Sequence, residues 1–355
     1  MNILIVGLGY AGKRFQSAFE QLSQNYNIQL SYCSRRPKKS PLPYYANLKN
    51  ALRELRPEIV VVSANDINHA EVLIDLAGYS GFVICEKPML TSSDDLLNIS
   101  EGLRNISGFA LDLVERYSDA TARLKLLAEA NNWKLIRSSF HWGKDRLNDY
   151  RPTCGVVSEV IHALDLVSWI CPSTTPLKLQ HSLGVKSDFS ISGSDVLDTV
   201  MFTADLGKAA VVGYASFVNI HRQRTVDFTF SDPAGQIIHS RLEFDEPSWD
   251  SDHLRIWTRN ERGAIVDLEQ HSYQGASGTS TSTILKLSRL CLDVMRFVAD
   301  GIPPLQTFAG LETAMQLQTL LNEIDTQSLT STSVQYVQSG MRTLIPEDAD
   351  LESLG

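Results

Sequence analysis

Met1-Asn2-Ile3-Leu4-Ile5-Val6-Gly7-Leu8-Gly9-Tyr10-Ala11-Gly12 opens the chain. Ile3–Val6 is a short apolar run without alternation, the pattern of a strand buried on both faces. Gly-x-Gly-x-x-Gly follows at once, and beyond it Phe15, Ala18, Phe19 and Leu22 fall at helical spacing. Strand, glycine pattern and helix in that order form a dinucleotide fingerprint. Gly7 makes the tight turn, Gly9 lets the backbone approach a pyrophosphate, and Gly12 lets helix and strand pack closely. Tyr10 and Ala11 then sit at a helix N-terminus, where free N–H groups face phosphates. The competing reading is a glycine-rich turn with no ligand.

The alternation continues outward. Ile28–Cys33, Ile59–Ser63 and Gly81–Cys85 read as further buried strands. Asn47–Leu55, Ala70–Ala77 and Ser93–Leu103 read as helices, the last with Ser92 or Ser93 as N-cap. This order predicts an α/β unit over residues 1–115, a doubly wound parallel sheet. Beyond it the pattern changes. Helices are expected over Tyr117–Asn131 and Gly155–Ile170, and a strand over Trp133–Phe140. A strand-rich block runs through Leu177–Val185, Asp195–Ala204, Ala209–Val218, Thr225–Ser231 and Gln236–Phe244, and Leu254–Trp257 and Ala264–Leu268 extend it. Several of these alternate apolar and polar residues, which favours an antiparallel sheet with one wet face. Helices over Thr283–Ala299 and Phe308–Ile324 close a second, α+β domain spanning 116–345. Gly275–Ser282 reads as a loop, and Pro346–Gly355 as an acidic, frayed end.

Composition bounds the function. The length, 355 residues, fits two domains. Hydrophobic residues at 43% and charged residues at 21% exclude disorder as the dominant state. Lys+Arg number 32 against 41 Asp+Glu, and a net charge of −9 does not attract a phosphate backbone, so no nucleic-acid partner is expected. Cys33, Cys85, Cys154, Cys171 and Cys291 are scattered without CxxC spacing, as expected of reduced thiols. The N-terminus lacks a basic signal region and no run reaches the length of a membrane span, so a cytoplasmic protein with no membrane partner is expected.

The end of the second strand, Tyr32-Cys33-Ser34-Arg35-Arg36, bears on the cofactor. An NAD site usually has an acid there to accept from the ribose hydroxyls. Ser34 stands in its place, and Arg35 and Arg36 could hold a 2′-phosphate by charge-assisted hydrogen bonds. NADP(H) is therefore expected over NAD(H). Alternatively the two arginines are a solvated pair near Lys38 and Lys39.

Cys85-Glu86-Lys87-Pro88 ends another strand, at the edge where open parallel sheets bind ligands. Desolvation and a cationic nicotinamide are expected to push the Lys87 pKa down, toward an acid/base range. Further on, Glu159, His162 and Asp165 recur every three residues of an apolar helix, so they are expected to share a face. A carboxylate beside a histidine orients its ring and tunes it for proton transfer. The alternatives are a satisfied core histidine, or a metal site, which lacks an i,i+4 histidine pair; no metal is expected.

The fingerprint at the extreme N-terminus, the Ser63-Ala64-Asn65…His69 segment and Glu86-Lys87-Pro88 together resemble the glucose–fructose oxidoreductase/inositol dehydrogenase/rhizopine catabolism (Gfo/Idh/MocA) family. That resemblance implies a Rossmann domain followed by an α+β domain with a large open antiparallel sheet. It implies a nicotinamide-dependent oxidoreductase acting on a sugar, cyclitol or nucleotide sugar. It carries a catalytic and positioning role to Lys87, a place at the nicotinamide to Ser63, Asn65, His69 and Glu86, and a proton relay to His162 with Asp165. The family acid four residues before the histidine is absent; Ser158 stands there and Glu159 one residue later. By resemblance alone a homodimer or homotetramer is expected.

Val114-Glu115-Arg116-Tyr117 is similar to the family segment joining the domains, where Arg116 or Tyr117 borders the substrate or only packs the hinge. The loop containing Trp142, Lys144, Arg146, Asp149, Tyr150 and Arg151 would suit a polyol or a phosphorylated group, with Trp142 and Tyr150 as contacts, or is a solvated loop. His221, Arg222 and Arg224 carry no assignment at this level. Three rival functions stay open: a glycosidase or epimerase with tightly held dinucleotide, an imine or tetrapyrrole-type reductase, and a non-catalytic dinucleotide sensor.

Overall fold

The computed structural model describes residues 1–147, 152–274, 284–330 and 334–336. Its first sheet is wholly parallel. Strands β1 (Asn2–Val6), β2 (Gln29–Cys33), β3 (Tyr44–Tyr45), β4 (Ile59–Val62), β5 (Phe82–Cys85) and β6 (Gly108–Leu111) lie in the order β3-β2-β1-β4-β5-β6. Helices α1 (Tyr10–Leu22), α2 (Leu48–Leu55), α3 (His69–Asp75) and α4 (Leu96–Gly102) connect them. The unalternated apolar run of β1 has a direct cause: Ile3 and Ile5 pack with Phe15 and Phe19 on one side, Leu4 and Val6 with Leu73 and Ile99 on the other. Neither β3 nor β6 is foreseen in the sequence. The cap of α4 also differs from expectation: Asp95 accepts from Asn98 N, and the serines lie upstream.

After a 3-10 turn over Val114–Tyr117 the chain enters α5 (Asp119–Ala130), β7 (Lys134–Asp145) and α6 (Val157–Ile170). Then come β8 (Leu177–Lys186), β9 (Leu197–Leu206), β10 (Ala209–Ser216), β11 (Val218–Ser231), β12 (Ile237–Glu243), β13 (Asp252–Arg259) and β14 (Ile265–Tyr273). With β15 (Leu329–Thr330) they form a nine-stranded sheet in the order β14-β13-β12-β11-β7-β10-β9-β8-β15. This sheet is mixed, which corrects the antiparallel expectation. β7 runs antiparallel to β11 but parallel to β10, and β15 runs parallel to β8. Alternation reports a wet and a dry face, and a parallel neighbour in the middle of a sheet leaves that signal unchanged.

On β9 the side chains of Met201, Thr203 and Asp205 face outward while Phe202, Ala204 and Leu206 are buried. All of α6 except Ser168 is buried. Helix α7 (Leu285–Asp300) brings Leu287, Leu290 and Val294 back onto Phe15 and Phe19 of the first domain. Helix α8 (Leu311–Gln327) buries Leu317, Leu321 and Ile324 in the core shared by both domains. The loop expected over Gly275–Ser282 and the end over Pro346–Gly355 lie outside the described residues. Among the described residues no helix is long and apolar enough to cross a membrane.

The turn after β1 is built on close approach. Gly7 has φ +96° and its missing Cβ would lie 2.5 Å from Ala64 N; a Cβ on Gly12 would lie 2.1 Å from the Gly7 carbonyl oxygen. Above Gly9 there is open space. Gly12→Ala should therefore cost about 1–3 kcal/mol of stability, the usual range for overpacking, whereas Gly9→Ala should leave the urea midpoint unchanged. Equal midpoints for the two variants would count against this packing.

Candidate active site

The C-terminal edge of the first sheet and the inner face of the second enclose a cavity of about 1020 Å³. Gly9, Tyr10, Ala11 and Arg14 line it from α1, and Ser63, Asn65, Asp66 and His69 from the segment after β4. Glu86, Lys87 and Asp112 come from the ends of β5 and β6. From the second domain come Lys144, Glu159, His162, Arg222, Arg224, Asp245, Trp249 and Lys286.

The dinucleotide side fits its expected guest. Gly9 caps α1 without a side-chain hydrogen bond, no acid stands in the first turn, and the space above Gly9 would otherwise be filled by a Cβ. Ser63 Oγ donates to the Gly7 carbonyl at 2.8 Å and holds the turn. His69 lies between the carbonyls of Ala64 (2.9 Å) and Pro88 (2.8 Å), tying the end of β4 to that of β5. Ser34, Arg35 and Arg36 follow β2 but do not line the cavity. Ser34 Oγ donates to the Arg36 carbonyl at 2.5 Å. Arg35 bonds Asn68 (3.0 Å) and Glu71 (2.9 Å) on the exposed surface, a pairing worth little in water.

Two polar contacts join the domains beside this turn. Asn65 Nδ2 donates to the Pro152 carbonyl at 3.0 Å, and Asp66 accepts from Cys154 N at 3.1 Å. A third contact is ionic. Lys87 Nζ lies 2.6 Å from Glu159 Oε1 and 3.1 Å from the Ser158 carbonyl. The same Glu159 oxygen accepts from Lys144 Nζ at 2.7 Å, and its other oxygen lies 3.4 Å from Arg224. Burial would raise the Glu159 pKa, but Lys144, Lys87 and Arg224 hold it well below the usual carboxylate range.

The expectation for Lys87 is corrected. Burial does pull its ammonium down, but Glu159 and Glu86 outweigh burial and hold the pKa above its ordinary value. Lys144 is the lysine pushed well below its ordinary value, by burial and by the cations Lys87, Arg146 and Arg224 around it.

His162 Nδ1 stands 2.6 Å from Glu115 Oε2, an ion-pair distance, and among the described residues neither atom makes a hydrogen bond of regular geometry. Trp142 stacks on the far side of the imidazole, with ring centres 5.7 Å apart. Burial works against a charged Glu115, yet His162, Lys286 and Arg224 keep its pKa below the ordinary range. Arg224, opposite Trp142 in the β7–β11 register, is anchored by Asp245 at 2.5 Å. Lys286 meets Asp245 (3.1 Å) and Asp252 (3.2 Å). Asp112 sits beside Glu86 with its pKa raised well above normal by burial and by that neighbour.

Glu159 and His162 reach the cavity, but Asp165 does not. Three residues along a helix turn the side chain by about −60°, so Glu159 and Asp165 diverge by about 120°. Asp165 instead takes Arg116 in a buried two-point pair at 2.7 and 2.5 Å, and Arg116 also bonds the Thr307 carbonyl. Arg116 is therefore not placed to border a substrate, nor is Tyr117, whose hydroxyl meets the Gln306 carbonyl. Trp142 lies behind His162, not on the cavity wall. Tyr150 lies outside the described residues. Glu159, His162 and Asp165 thus have separate partners, and no metal-holding cluster of acids, histidines and cysteines occurs among the described residues. Sequence reasoning missed Glu115, Arg224, Asp245, Lys286 and Asp112. The sequence carries no clear signal for them, since Arg224 lies in the polar run His221-Arg222-Gln223-Arg224 and Glu115 stands next to Arg116.

Comparison with known proteins follows the same lines. Residues 1–106 match the GFO_IDH_MocA model, described as an oxidoreductase family with an NAD-binding Rossmann fold. Inositol 2-dehydrogenase of Salmonella typhimurium (strain LT2) is 20% identical over 133 residues, 36% of this chain and 39% of that protein. The chain thus aligns with well under half the length of this relative. The fold of levoglucosan dehydrogenase, solved with NADH and levoglucosan, superposes with a TM-score of 0.72 at 14% identity, over 92% of this chain and 96% of that one. UDP-N-acetylglucosamine 3-dehydrogenase from Acidithiobacillus ferrooxidans gives 0.70 at 13% identity, over 92% and 97%. The architecture, a Rossmann domain with an appended large sheet, is shared with these structures.

Removing the Glu159 charge leaves three cations facing one another. Glu159→Gln should cost about 3–5 kcal/mol, as for breaking a buried ion pair, and Lys144→Met distinctly less. Urea unfolding near neutral pH compares them, and equal losses would contradict the shared-carboxylate arrangement. Glu159 and Glu115 have folded pKa values below the ordinary 4.5. Their contribution is therefore complete above about pH 4.5 and is lost as the pH falls through the lower folded values. Glu159→Gln should flatten that acid limb.

Proposed function

From a chain whose residues 1–106 match the Gfo/Idh/MocA oxidoreductase model, we propose a nicotinamide-dependent dehydrogenase or reductase of a sugar, cyclitol or nucleotide sugar, with NADP(H) preferred. One observation carries the reading: Lys87 of the first domain and His162 of the second face one cavity, each beside a buried carboxylate, Glu159 and Glu115.

Gly9, Tyr10 and Ala11 would hold the pyrophosphate with backbone N–H groups, and Ser34, Arg35 and Arg36 the 2′-phosphate. Asn65 and His69 would border the nicotinamide ribose side. The chemistry supplied by a bound nicotinamide dinucleotide is hydride transfer to or from a carbon that bears oxygen. Lys87 donates to that oxygen. Glu159 keeps its ammonium charged, so it stabilises a developing alkoxide instead of removing a proton. His162 exchanges the proton through Nε2, because Nδ1 is directed at Glu115. Glu115, held ionised, compensates the positive ring that proton uptake creates. Asp165 and Arg116 act only by fixing α6 against the segment before α5.

Levoglucosan dehydrogenase and UDP-N-acetylglucosamine 3-dehydrogenase share the fold and, by their names, act on carbohydrates, which supports the substrate class. The expected second copy has a natural surface in the outer face of the large sheet. There Leu183, Met201 and Tyr214 stand side by side across β8, β9 and β10.

Lys87→Ala should bind NADPH as the wild type does and lose most turnover across a panel of polyols and keto sugars. Near-normal turnover would sink the chemistry. Ser34→Asp should weaken NADPH by about tenfold or more, because an acid beside the 2′-phosphate repels it, and spare NADH. Fluorescence titration with both dinucleotides reads this, and unchanged preference would place the phosphate elsewhere.

A further inference from the structure

Arg222 enters the cavity from β11, with its guanidinium carbon 3.8 Å from the centre of the Trp249 ring. Its neighbours are all committed. Lys87 and Lys144 share Glu159, Arg224 holds Asp245, and Lys286 holds Asp245 and Asp252. Arg222 alone of these five forms no ion pair and donates no hydrogen bond among the described residues. Burial holds its pKa below the ordinary arginine value, and Arg224 beside it acts the same way.

A half-buried guanidinium without a counter-charge is costly, since it loses water and gains no acceptor. Stacking on an indole offsets part of that cost. It also fixes the plane of the group, so that the N–H edge points away from the ring. The surroundings reinforce the positive field. Arg14 of α1 lies 5.5 Å from the Trp249 ring centre and Arg224 also 5.5 Å, so three guanidinium groups from both domains border one indole. Gly9, Tyr10 and Ala11 line the same cavity, and Tyr10 is close enough to act electrostatically on Arg222. The acids in reach, Asp245 and Glu159, are already taken by other cations.

We propose that Arg222, braced on Trp249, is an anion-binding residue of the cleft and receives a phosphate or carboxylate group of a bound ligand. This rests on the reading of the cleft as a site for a dinucleotide and a polyol. The anion has two possible sources: the pyrophosphate of the dinucleotide, or an acidic group on the sugar, as in a uronate or a sugar phosphate. Planar, forked recognition by arginine suits either.

Calorimetric titration of the wild-type chain, Arg222→Gln and Arg222→Lys distinguishes them. In the first arm the probes are NADPH and ADP-ribose, with adenosine as the neutral control. In the second they are D-glucuronate and D-glucose 6-phosphate at saturating NADP⁺, with myo-inositol as the control. Arg222→Gln should weaken the charged probes of one arm by about tenfold or more and leave its neutral control unchanged, and Arg222→Lys should recover part of the loss. Affinities within about twofold of wild type in both arms, or equal weakening of charged and neutral probes, would overturn the proposal. A wild-type chain that binds no dinucleotide overturns the proposed function instead. The Arg222 side chain makes no hydrogen bond or ion pair among the described residues, so both variants should keep the wild-type fold, which circular dichroism checks.

Discussion

The carboxylate of Glu159 is buried, charged, and touched by Lys87, Lys144 and Arg224. An isolated carboxylate in that position would give up its charge. Surrounded by cations it stays ionised, and the cations stay in place because it is there. Lys87 belongs to the first sheet, Lys144 and Arg224 to the second, and Glu159 to the helix between them. One desolvated charge therefore ties the end of β5 to α6 and fixes the aim of Lys87, beside the polar and apolar contacts that also join the domains. Buried ion pairs are weak evidence for stability, because desolvation offsets much of their attraction, but removing one partner leaves a buried charge uncompensated. Here the pairing bears on the relative placement of α6 and the end of β5.

A second tier of pairs keeps α6 from rotating. Asp165 and Arg116 lock the side of the helix remote from the cavity, and Trp142 backs His162. With these fixed, His162 and Glu159 have little freedom, and the imidazole must meet Glu115. The site is thus a chain of buried charges in which, among the described residues, Lys87, Lys144, Arg224 and Lys286 are each paired with an acid and Arg222 is not.

Most of the first domain is legible in the sequence because strands buried on both faces read as apolar runs, and glycines mark the turn that follows β1. β6 escapes notice because Gly108-Phe109-Ala110-Leu111 is short and opens on glycine. The parallel pairing of β7 with β10 is invisible to local pattern, since register and direction are decided by distant partners. In the site, Lys87, Glu159 and His162 stand out because each is a charge in an apolar or edge context. Asp165 shares that appearance and is a packing residue, since spacing alone cannot say which side of a fully buried helix meets a cavity. Glu115, Arg224 and Lys286 are far apart in the chain, and only tertiary structure shows that they converge.

The position of β7 has a consequence for how the chain reaches this state. The strand at the heart of the large sheet is synthesised before either of its neighbours, and residues 146–208 separate it from β10. During that interval both of its edges are bare, and the apolar α6 that follows has no sheet to cover. Contacts of such long range slow folding and invite association between nascent chains. The strands of the first sheet all precede β7, although its central β1–β4 pairing itself spans residues 7–58 and α7 returns late to cover Phe15 and Phe19. The large sheet can close only once β10 and β11 have been made, after every strand of the first sheet.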